Sequence, residues 1–190
     1  MYAKAMAGNT ENGGGRRESG WRIAVWGAAA LVLLLPLLAM QVTEEVDWDL
    51  TDFAIFGAML VGACGTYELA ARVTGNTAYR AAVGVALAAA FILVWMNLAV
   101  GIIGSEDNPA NLMYGGVLAV GIIGAVIARF QPHGMARAMV ATALAQALVA
   151  LIAGLGYTLL LTGAFVVLWL TSARLFRKAA QEQAFAGAAP

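Results

Sequence analysis

Six apolar runs, each about as long as a bilayer crossing, constrain this chain more than any other feature. They cover residues 22–41, 51–73, 79–104, 109–130, 135–154 and 158–177. A transmembrane helix needs roughly 20 such residues. Hydrocarbon offers no partner to backbone N–H and C=O groups, so each run must satisfy itself as a helix. The expected fold class is therefore all-α, a polytopic membrane protein of six transmembrane helices. Composition agrees: 62% of residues are apolar and only 12% charged, against about a quarter charged in soluble domains. The last two runs could form one long helix, but together they are about twice a bilayer crossing. "GLGYT", Gly154 to Thr158, is read as a tight turn between them.

Residues 1–20, polar and glycine-rich, are expected to form a disordered tail. Residues 21–178 form the membrane domain and 179–190 a second tail. The first run follows Arg16, Arg17 and Arg22 as a signal peptide would. It is long enough to span and lacks a good cleavage site, so it is read as an uncleaved first span.

The bases fix an orientation. Lys4, Arg16, Arg17 and Arg22 precede the first run. Arg72 and Arg80 flank the second turn, and Arg129 and Arg137 the fourth. Arg174, Arg177 and Lys178 end the sixth run. With both termini cytoplasmic, all 11 bases fall on one side, as the positive-inside rule requires. Trp21, Trp169, Tyr79 and Tyr157 fall near run ends, where an aromatic belt would sit.

Runs two and three resemble runs four and five. "DLTDFAIFGAMLVGACG" aligns with "NPANLMYGGVLAVGIIG", placing Gly57, Gly62 and Gly65 on Gly116, Gly121 and Gly124. "YRAAVGVALAAA" aligns with "ARAMVATALAQA", placing Arg80 on Arg137. The expectation is a parallel tandem repeat of two αα-hairpins, 49–104 and 108–156. Small residues at such spacing allow close helix approach.

One loop gathers acids. "VTEEVDWDLTDF" holds Glu44, Glu45, Asp47, Asp49 and Asp52 without a base. The repeat places Asp49 on Asn108 and Asp52 on Asn111, each pair at the start of a helix. Asp and Asn are strong N-caps, and Pro109 suits a first helical position. Glu44, Glu45 and Asp47 read first as a solvated loop. With Glu106 and Asp107 they form a weaker candidate for an outer-face cation site, since hard cations take several oxygen ligands. No metal site is assigned.

Within the runs, Glu68 is the one ionisable group that invites a role. Arg72 follows at i+4 and Arg80 opens the next helix. A local ion pair of Glu68 with Arg72 and Arg80 is the first reading, and a proton- or cation-handling carboxylate the second. Asn97 and Gln146 are expected to hydrogen-bond between helices, or else to line a polar path. Met59, Met96, Met113 and Met139 read as packing residues, and Pro36 as a local distortion of run one.

Other chemistry is excluded by what the sequence lacks. His133 is the only histidine, and Cys64 the only cysteine. They provide no bis-histidine haem site, cysteine zinc cluster or serine–histidine–acid set. No glycine-rich phosphate loop and no basic surface for nucleic acid occur. "NPA" occurs once, at Asn108–Ala110, at the mouth of a full span. It is not the paired half-helix arrangement of aquaporins. No cofactor and no enzymatic activity are expected.

The stretches "VDWDLTDF", "YELAARVTGNTAYR" and "WMNLAVGIIGSEDNPAN" give residues 46–134 a further character. This core resembles a family of small bacterial inner-membrane proteins. The resemblance implies a bacterial source and the cytoplasmic membrane, and brings no substrate and no catalytic residues. The expected function is a non-enzymatic accessory or structural subunit. It would act by helix packing in the lipid bilayer, with its own copies or within a larger membrane complex. The alternative is a small oligomeric transporter or channel for a proton, cation or small solute.

Overall fold

A computed structural model describes residues 3–105, 107–154 and 158–188, with side chains described for 20–105, 107–154 and 159–188. Among the described residues there are six α-helices, one 3₁₀ turn and no strand. The helices are α1 (Ala3–Ala39), α2 (Leu50–Val73), α3 (Thr77–Ala99), α4 (Met113–Ile127), α5 (Pro132–Ala153) and α6 (Thr158–Ala188). The 3₁₀ turn, Pro109–Leu112, leads into α4. All six runs are long and apolar enough to cross a membrane. Leu31, Ile122 and Leu160 are among many large apolar side chains left exposed, which suits lipid as the solvent. The chain divides into two compact units, Met1–Glu68 and Leu69–Pro190.

In the first unit, α1 and α2 form an antiparallel pair. The edge-to-face rings of Trp21 and Tyr67 lie 5.9 Å apart at one end. Further along, a Cβ on Gly57 would meet Leu33 at 3.9 Å. The acidic loop ends in a reciprocal cap. The Asp49 carboxylate accepts from the N–H groups of Thr51 (2.7 Å) and Asp52 (3.0 Å). The Asp52 carboxylate in turn accepts from Asp49 N–H at 3.0 Å. This is the logic of a capping box: two acids satisfy donors that the first helical turn leaves without partners. Trp48 stacks edge-on against Phe53 and Phe56 beside the cap.

In the second unit, α6 packs against both α3 and α5, and α4 packs against α5. Heptad-like stripes make these contacts. On α5 the buried stripe includes Met135, Met139, Thr142, Gln146 and Val149; on α6 it includes Thr162, Phe165, Trp169, Ser172 and Phe176. Residues spaced three and four apart share one helix face. The Ser172 hydroxyl donates to the Ala82 carbonyl at 2.8 Å, and the rings of Tyr79 and Phe176 meet at 5.1 Å.

The glycines that the sequence alignment pairs do not pack alike. A Cβ on Gly124 would lie 2.7 Å from Ala138 Cβ, and one on Gly121 would lie 3.1 Å from the Thr142 hydroxyl. Close approach of α4 to α5 thus requires glycine at Gly124. The aligned Gly65 and Gly62 meet nothing within 4 Å. Shared spacing therefore encodes a tight helix contact in α4 only.

Several boundaries differ from the sequence reading. Span three ends at Ala99 rather than near residue 104, because Gly101 (φ 66°) and Gly104 (φ 74°) turn the chain in the left-handed region. The expected tails are helical. The α1 helix extends back to Ala3, and α6 runs on to Ala188. Once a span has nucleated a helix, each further residue adds only a propagation step. Ala, Gln, Glu and Lys in 178–188 are good helix formers. Glu182 also accepts from the Asn76 amide at 2.8 Å, tying this extension to the start of α3.

Two belt aromatics are interior instead. Trp169 is buried midway along α6, and Tyr79 is buried and donates to the Phe130 carbonyl at 2.8 Å. Trp169 reads as interfacial only if α6 ends at residue 177, which it does not. Trp21 is partly buried, and Tyr157 lies outside the described residues.

Candidate functional site

Glu68 is the one buried carboxylate among the described residues, and no Lys, Arg or His is buried there. It sits near the end of α2, where the middle of α1 reaches it. Arg22 Nη2 lies 2.7 Å from Glu68 Oε1. The Trp26 indole N–H donates to Oε2 at 3.0 Å. Arg22 and Trp26 lie one turn apart on α1, so a single face presents a cation and a neutral donor together. The carboxylate is 11% exposed and the guanidinium 49%. Arg22 can therefore remain hydrated on one side while neutralising a buried acid, an arrangement that avoids most of the cost of burying both charges.

Glu68 thus has partners beyond the expected Arg72 and Arg80. The Arg80 guanidinium donates to the carbonyls of Ala71 and of Thr74, the latter at 2.8 Å. These carbonyls belong to the end of α2 and the turn after it, where helical partners run out. Arg72 stands one turn after Glu68 on α2 and is exposed. The first-helix partners, Arg22 and Trp26, were missed by sequence reasoning. The signal available was Arg22 itself, the one base lying inside the boundary of span one.

The second unit holds the other polar candidates. Gln146 is fully buried on α5. Asn97, on α3, donates to the Asn111 carbonyl at 3.0 Å. Asn111 is a correction: it is not an N-cap. Its side-chain oxygen accepts from Ile102 N–H (3.0 Å) and Ile103 N–H (2.8 Å), and its amide donates to Ser105 O (2.7 Å). It binds the connection between α3 and α4 over the bundle end. Asn108 does cap, accepting from Ala110 N–H at 3.0 Å ahead of Pro109.

Glu44, Glu45, Asp47 and Asp107 are exposed, and Glu106 lies outside the described residues. No group of three or more His, Cys, Asp or Glu able to hold a metal ion occurs among the described residues. Asp49 and Asp52 cap α2, while Glu44, Glu45 and Asp47 are exposed. No family model matches the chain, and neither curated proteins nor solved structures give a match.

Proposed function

We propose that the chain is a non-enzymatic protein of a bacterial cytoplasmic membrane, with both termini cytoplasmic. It acts by helix packing as an accessory or structural subunit, with its own copies or within a larger complex. One observation carries this reading. Both oxygens of the one buried carboxylate are already engaged, by Arg22 and Trp26. A carboxylate that cycles a proton or cation must exchange partners, whereas this one has each oxygen held by a group on α1. Glu68 in this setting fastens α1 to α2.

The membrane faces of the first unit support the same reading. Ile23, Leu31, Leu35 and Leu38 of α1 and Ile55 and Val61 of α2 are exposed. Such exposed apolar side chains suit contact with lipid or with another membrane protein. The bases, gathered at alternate loops, support the orientation.

The test is Glu68→Gln in reconstituted liposomes. Gln keeps the Trp26 hydrogen bond and removes the charge. Proton and cation flux should equal that of the unaltered protein, with a small loss of thermal stability. A loss of flux tied to Glu68→Gln would replace this reading with transport.

A further inference from the structure

The turn between α4 and α5 carries strain that helix packing does not explain. It covers residues 128–131, between two segments long and apolar enough to cross a membrane, Pro109–Ile127 and Pro132–Ala153. Its tip therefore stands where hydrocarbon gives way to headgroups. Arg129 (φ 48°) and Phe130 (φ 58°) both lie in the left-handed region. A residue with a Cβ pays there a conformational cost that glycine avoids. The end of α4 makes the paired hydrogen bonds of a Schellman motif. Phe130 N–H donates to the Ala125 carbonyl at 3.1 Å, and Arg129 N–H to the Val126 carbonyl at 2.9 Å. Glycine is the usual residue where Arg129 stands.

Two contacts hold the turn in place. The Tyr79 hydroxyl, on α3, donates to the Phe130 carbonyl at 2.8 Å. At the start of α5 a Cβ on Gly134 would lie 2.6 Å from Ala128 Cβ, so the two helix ends close tightly. Neither contact uses the side chain of Arg129 or of Phe130. Both residues are exposed, Phe130 by 60%. The guanidinium of Arg129 has no hydrogen bond or ion pair among the described residues. Exposed Ile123, Val126 and Ile127 lead along α4 to Phe130, whose ring continues their apolar surface. The fold thus pins the backbone of a strained turn and leaves a cation and a ring outward at its tip.

We propose that the Arg129–Phe130 turn is an interfacial anchor that binds an anionic phospholipid. The guanidinium pairs with the headgroup phosphate, which its fork of N–H donors matches. The ring of Phe130 sits at the upper ends of the acyl chains, where an apolar group beside a base favours the interface. An acidic protein segment would suit the arginine alone. The position of the tip between two spans, and the exposed ring next to the cation, favour lipid.

Glycine separates strain from binding. In neutral detergent Arg129→Gly relieves the left-handed backbone and should raise Tm by about 2–4 °C. Phosphatidylglycerol added to the micelles should raise the Tm of the unaltered protein above its value in the same amount of phosphatidylcholine. That lipid-dependent difference should fall by about half or more in Arg129→Gly and in Phe130→Gly, and persist in Arg129→Lys. Inorganic phosphate should not reproduce it. A phosphatidylglycerol effect that is absent from the unaltered protein, or equal in the unaltered protein and both glycine variants, overturns the proposal. So does the same rise with inorganic phosphate alone, or a lower Tm for Arg129→Gly in neutral detergent. Stoichiometric capture of an acidic protein that Arg129→Gly abolishes, with the lipid effect unchanged, would replace lipid by that partner.

Discussion

Arg22 and Glu68 meet at 2.7 Å across α1 and α2, while Trp26 takes the second carboxylate oxygen. Removing the cation leaves a buried acid with its hydrogen-bonding indole but without this neutralising base. A fully buried pair broken in this way loses about 3–5 kcal/mol. Because Arg22 is half exposed, solvent screening reduces the loss to on the order of 1–2 kcal/mol. Arg22→Ala should lower Tm more than Glu68→Gln, and pairing both changes should recover part of the loss. Unfolding can be followed by thiol-dye reaction at Cys64, the single cysteine. Strictly additive effects in the double variant would show that the charge pair contributes nothing.

The repeat glycines should separate by position. At Gly124 a methyl group would be driven against Ala138. Gly124→Ala is expected to cost about 1–3 kcal/mol, the range for overpacking. At Gly65 nothing lies within 4 Å. Gly65→Ala should be neutral, or stabilising by up to ~1 kcal/mol through helix propensity. Thermal melts of the two variants check the contrast, and equal destabilisation would contradict it.

Asn111 holds the connection after α3 through Ile102, Ile103 and Ser105. Asn111→Ala leaves two backbone N–H groups and a carbonyl without that partner. The expected cost is about 1–3 kcal/mol. Hydrogen exchange should accelerate across residues 100–108, with α5 little changed. Uniform acceleration throughout the protein would place the role of Asn111 elsewhere.

The reciprocal cap at Asp49 and Asp52 makes a smaller claim. Asp49→Ala should cost about 0.5–2 kcal/mol, and Asp49→Asn much less, because the amide oxygen can still accept. Addition of divalent cations should leave the Tm of the unaltered protein unchanged. A cation-dependent rise abolished by Asp49→Ala would assign the loop a binding role.

Apolar run length made all six helices legible, because bilayer thickness acts on local composition. The start of α2 was legible too, since a cap is made by neighbours in sequence. Partners set by tertiary register were not. Spacing at i+4 pointed Glu68 to Arg72 and the start of the next helix to Arg80, but only the antiparallel fit of α1 on α2 shows that Arg22 and Trp26 also reach it. Asn111 was misread because the repeat aligned it with Asp52, although a 3₁₀ turn ahead of α4 gives it a different position. The end of α3 was obscured by the apolar "GIIG", where two glycines with positive φ outweigh hydropathy. Gln146 stood out as polar within a span, but its complete burial depends on how the helices of the second unit meet.

The most direct test of a packing role is the mass of the assembly released from native membranes in mild detergent. Native mass spectrometry would weigh it and identify every bound component. A helix-packing subunit predicts a stoichiometric complex, with a second membrane protein or with further copies, that survives Glu68→Gln. A lone 19.7 kDa chain carrying only lipid would contradict the account.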